Sequence, residues 1–120
     1  MAQTIETEHN ERAKVQSWRL HVLIEAEQIE RAALEDGLGV EPAATGRNVL
    51  TRGVDLNSLV GKRFRVGELE CRGIELCEPC TTFEANTTPG AIKVFVHRAG
   101  LNAEILVGGQ LRPGDPVTPL

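Results

Sequence analysis

The chain of 120 residues is 41% hydrophobic and 25% charged with a net charge of −4, the balance of one ordinary globular domain. The acidic balance and scarce aromatics (Trp18, Phe64, Phe83, Phe95) exclude a nucleic-acid binder, and the apolar runs are too short for a membrane span. Three cysteines, an odd number, and the polar start MAQTIETEHNERAK argue against a secreted disulfide scaffold and predict a reducing, cytoplasmic setting.

Residues 1–17 read as a polar lead-in and residues 18–120 as the domain. SWRLHVLIE alternates, with Trp18, Leu20 and Val22 on one face and Arg19 and His21 on the other, which predicts a strand. From Ile24 the period lengthens. Val22, Ala26, Ile29 and Ala33 keep helical spacing, and Asp36-Gly37 supplies a stop. GVEPAATG is a loop marked by Pro42 and Gly46. RNVLTRGVD then leads into LNSLVGKRFRVGELECRG, where Phe64, Val66, Leu69 and Cys71 alternate with charged residues on either side of Gly67. AIKVFVHR sets Ile92, Val94 and Val96 on one strand face, and AEILVGGQLRPGDPV gives two short strands around Gly108-Gly109 and a Pro-Gly-Asp turn. Many short strands with frequent glycine turns and one clear helix predict a mainly β fold, a small barrel or sandwich.

The chemistry gathers in IELCEPCTTFE, where Cys77 and Cys80 flank Glu78-Pro79. Three readings of the pair stand. It is half of a zinc site that Cys71 and His97 complete, although there is no second C-x-x-C or H-x-x-x-H. It is a dithiol redox pair, which belongs in a βαβ setting that the later half lacks. Or it is two inert core thiols. Against the last, Pro79 lacks an N–H and ends a strand near Cys77, and the polar TTFEANTT that follows puts Cys80 at a rim. A thiol acts as nucleophile or soft-metal ligand only as thiolate, so Cys80 is expected to be exposed with a lowered pKa. Cys77 is expected to be more buried, as a packing or resolving thiol, and Cys71 to be a small hydrophobe in its strand.

GRNVLTRGVDL brings the donors Arg47, Asn48, Thr51 and Arg52 close in sequence, either for a phosphate or carboxylate or as an ordinary strand with exposed arginines. His97 and Arg98 end a predicted strand, facing a pocket or filling a structural role. Glu68 and Glu70 point to solvent and carry nothing catalytic.

The order of LIEAEQIE, GRNVLTRGVDLNSLVGKRFRVGE, LCEPC, VHRAGLNAEIL and GGQLRPGDPV resembles the MOSC domain, over about residues 18–118. That domain closes molybdenum-cofactor sulfurases and also occurs as small free-standing bacterial proteins. The resemblance implies a β-barrel with one or two peripheral helices, and binding of the molybdenum cofactor or transfer of sulfur to it, as a sulfurase-related protein. Cys80 is similar to the family's molybdenum ligand and is the implied reactive cysteine. Arg47 and Asn48 match the family's R-N segment, and with Thr51 and His97 they are the implied cofactor contacts. Pyridoxal phosphate belongs to a separate partner domain in this family and is not expected on this chain. A molybdoenzyme or a cysteine desulfurase is the implied partner. Strands and a Gly-Asp-Arg segment usual in the family ahead of RLHVLIEAE have no counterpart in the residues before Trp18, so the chain reads as N-terminally shortened. A barrel so shortened leaves sheet edges open, and a homodimer that covers them is expected. A remnant that only binds or dimerises is the alternative.

Overall fold

The computed structural model describes residues 4–6 and 13–120. In chain order these form β1 (Thr4–Glu6), β2 (Ala13–Val15), β3 (Leu20–Glu25), α1 (Ala26–Asp36), β4 (Val49–Arg52), β5 (Arg63–Val66), β6 (Leu69–Leu76), α2 (Thr81–Asn86), α3 (Ala91–Val94), β7 (Leu101–Val107), β8 (Gly109–Leu111) and β9 (Val117–Pro119). Seven strands make one sheet in the order β1-β4-β3-β7-β6-β5-β9, and β2 pairs with β8 in a second. All pairs are antiparallel except β3 with β4, which α1 connects as a crossover. The large sheet curls into a nearly closed barrel whose two edges meet at a bridge between Thr4 and Pro116. Three helices lie around it, one more than the upper number expected.

Alternation explains the two cores. Along β3 and β4 successive side chains point to opposite faces, and both faces are buried. Leu23 and Val49 enter the barrel interior with Phe64, Val66, Leu69, Cys71, Leu101 and Ile105. Ile24 and Leu50 face outward into a second core with Ala26, Ile29 and Ala32 of α1 and with Phe83 and Phe95. Burying each large side chain of this kind stabilises the fold by about 1.5–3 kcal/mol. The β5–β6 hairpin follows its sequence pattern closely, with Phe64 opposite Cys71 and Val66 opposite Leu69 across the turn at Gly67. Gly37, at φ 66, ends α1 with its N–H on the Ala32 carbonyl, as the Asp-Gly stop predicts. The buried face of α1 runs through Ala32 rather than Ala33.

Other expectations are corrected. The strand of SWRLHVLIE begins only at Leu20. Trp18 sits at φ 66 and is 75% exposed, and Leu20 is also exposed, so the apolar alternation there marks the outer face. AIKVFVHR is not a strand. Ala91 and Phe95, four apart, are buried as one helical face of α3 and the turn after it, while Val96 is exposed. The Glu84 carboxylate accepts from the Ile92 N–H and fastens α3 to α2. The predicted lead-in supplies β1 and β2, with Ile5 and Val15 buried in the barrel core. Among the described residues, no helix is long and apolar enough to cross a membrane.

Candidate functional site

Cys77 makes the last ladder contact of β6, its N–H donating to the Gly100 carbonyl at 2.8 Å. Pro79 follows, and the chain stays extended through Cys80, at φ −131, before α2 starts at Thr81. Cys80 is therefore the N-cap of a short helix and is exposed, while Cys77 is half-buried and Cys71 is buried. The N–H groups of Phe83 and Thr82, then the charge of Arg47 and the Thr82 hydroxyl, hold the Cys80 thiol below its ordinary value. Burial, with Glu70 nearby, pushes Cys71 up to about 12. One thiol of the chain is thus prepared to be a thiolate in water, and another is prevented from it.

Arg47 lies beneath this loop. Its Nε donates to the Ala99 carbonyl at 2.9 Å, Nη1 to Thr45 at 3.3 Å and Nη2 to Cys77 at 3.1 Å. Its guanidinium carbon is 4.7 Å from the centroid of the Phe83 ring, within cation–π range. That ring meets Phe95 edge to face at 5.4 Å. On the other side of the loop, the Glu78 carboxylate accepts from the His97 N–H at 2.7 Å and faces its Nδ1 at 2.5 Å. Those contacts, the backbone one first, hold the Glu78 carboxyl below the usual carboxylate range.

The structure thus brings Cys80, Cys77 and Arg47 together, with His97 reaching the loop through Glu78. It does not bring Asn48 and Thr51 there as ligand donors. Asn48 extends the parallel ladder, its Oδ1 accepting from the Val22 N–H and its own N–H donating to the Val22 carbonyl, each at 2.8 Å. Thr51 is fully buried, its hydroxyl donating to the Ile24 carbonyl at 3.4 Å. Arg98 turns back to Gln28 and the Val94 carbonyl. Phe83, Glu78 and Thr82 were missed by the sequence reading. The signal was available for two of them, because the second and third residues after an N-cap present their N–H groups to its side chain.

As for metals and cofactors, a thiolate at Cys80 suits a soft metal. No group of three His, Cys, Asp or Glu side chains placed to hold a metal occurs among the described residues, and Cys71 lies inside the barrel, which removes the four-ligand zinc reading. Nor do the residues fit a resident pterin cofactor. Arg47 and Asn48 are engaged with backbone, Thr51 is sealed in the wall, and His97 is engaged with Glu78.

The MOSC domain family model matches residues 10–118. The fold is similar to that of YiiM from Geobacillus stearothermophilus, at TM-score 0.78 and 14% identity, over 99% of this chain and 72% of that one. YiiM from Escherichia coli aligns at TM-score 0.77 and 16% identity, over 100% and 70% of the two chains. The YUAD protein from Bacillus subtilis aligns at 0.70 and 16%, over 98% and 84%. A search of curated proteins finds no match. With the family model covering nearly the whole described barrel, the chain belongs to the MOSC domain family, which is associated with molybdenum-cofactor sulfurase-like function.

Proposed function

We propose that this MOSC domain is a sulfur carrier working through Cys80. The observation that supports it is the exposed Cys80 sulfur, held toward thiolate by the Phe83 and Thr82 N–H groups. In the loading step the Cys80 thiolate attacks the outer sulfur of a persulfide donor, R–S–SH. A sulfur–sulfur bond forms at Cys80, the donor's sulfur–sulfur bond breaks, and R–S⁻ leaves with the electron pair. A cysteine desulfurase is the class of partner that presents such a persulfide. The molybdenum cofactor, carried by a molybdoenzyme, is on this reading the destination of the sulfur and not a resident group. The free thiols suit a reducing cytoplasm.

The test is incubation of the purified protein with cysteine persulfide, followed by peptide mass spectrometry and cyanolysis. The expected result is the mass of one added sulfur on the Cys80 peptide, release of thiocyanate, and loss of both in a folded Cys80→Ser variant. Loading on Cys77, or no loading at all, overturns the reading and leaves a domain that only binds or dimerises.

A further inference from the structure

We infer that Arg47 is the positioning residue of the Cys80 thiolate and not a contact for a cofactor. A guanidinium offers five N–H donors in one rigid plane. Here that plane collects the carbonyls of Thr45, Cys77 and Ala99, from three separate segments of the chain. Its face rests on the ring of Phe83. Cys77 and Phe83 are the two feet of the arch that lifts Cys80 into solvent, so one side chain pins both. The second foot is chemically important, because the Phe83 N–H is the leading donor to the sulfur. If the ring shifts, the amide shifts with it.

Geometry also explains the residue type. A lysine keeps the charge, but as a point charge on a flexible stem it cannot reach three carbonyls while lying flat on a ring. The distances concern thiol placement alone, while the use made of the thiol rests on the sulfur-carrier reading.

The experiment compares wild type with Arg47→Lys and Arg47→Met, measuring the rate at which iodoacetamide alkylates Cys80 across pH, with thermal unfolding as a check on the fold. Both variants are expected to move the profile to higher pH and to slow alkylation near neutral pH roughly threefold to tenfold, as the thiolate fraction falls. A Lys variant that reproduces the wild-type profile shows that charge alone acts and overturns positioning. So does a lowered melting temperature with an unmoved profile in both variants. Should neither Arg47 variant fold, Phe83→Leu, which keeps apolar volume and every backbone donor, must give the same upward shift, and an unmoved profile again overturns the inference. Since alkylation needs no sulfur donor, a shifted profile alongside wild-type protein that takes up no persulfide sulfur retains Arg47's role and rejects the carrier function.

Discussion

Thr4 forms an antiparallel bridge with Pro116 across the two edges of the seven-stranded sheet. The Ile5 N–H donates to the Asp115 carbonyl, and the Ile5 carbonyl accepts from the Gly114 N–H, so the wall is drawn together at this point. β1 thereby covers the outer side of β4, but the seam between β1 and β9 is tied only here. An incompletely paired edge is a template for another chain.

The expected assembly is a homodimer formed at that seam, through the free side of β9. Light scattering at micromolar concentration should report about twice the 13.1 kDa of one chain. A stable single-chain mass would show that the bridge is closure enough.

Thiol reactivity should follow the order Cys80, Cys77, Cys71. Cys80 is exposed with its thiolate favoured by the Phe83 N–H, and Cys71 is buried with its thiol pushed up to about 12. At a pH below the ordinary thiol value, peptide mapping after brief alkylation should find the label on Cys80 almost alone. Label on Cys77 first would reverse the assignment within the pair.

Gly73 is required by contact. An added Cβ would lie 2.1 Å from the Leu59 carbonyl oxygen, a backbone atom. The site cannot yield easily, because the Gly73 N–H donates to Lys62 and its carbonyl accepts from Gly61. Gly73→Ala should lower stability by at least about 1–3 kcal/mol in a urea titration. Gly39→Ala, with nothing within 4 Å of the added atom, should be nearly neutral. Equal effects would remove the steric argument.

Glu25 should make stability fall as pH rises through the weakly acidic range. Burial lifts its carboxyl above the ordinary value, although its Oε2 accepts from the Leu56 N–H. A carboxyl with a raised folded-state pKa contributes stability below the unfolded pKa and loses it as pH climbs through the folded one. Glu25→Gln keeps an acceptor for Leu56 and removes the titration, so its urea midpoint should be flatter across that window. Parallel slopes for the two proteins would place the titration elsewhere.

The sequence by itself determined what local pattern controls. Phe64, Val66, Leu69 and Cys71 form the predicted hairpin because period-2 side chains and a glycine turn need no distant partner to choose their register. Gly37 stops α1 through its own backbone freedom. Pro79, lacking an N–H, frees the chain before Cys80, and the thiol is exposed as the motif suggests. Tertiary structure decided the rest. Ile92, Val94 and Val96 alternate like a strand, yet α3 forms because Ala91 and Phe95 bury themselves against the outer core and Glu84 holds the Ile92 N–H. Arg47 reads as a ligand donor from its neighbours in sequence, but its Nε and Nη2 partners lie 52 and 30 residues away. A guanidinium's fork fits a phosphate and a set of backbone carbonyls equally well, and only the folding of β6, α2 and β7 around it puts the carbonyls there first.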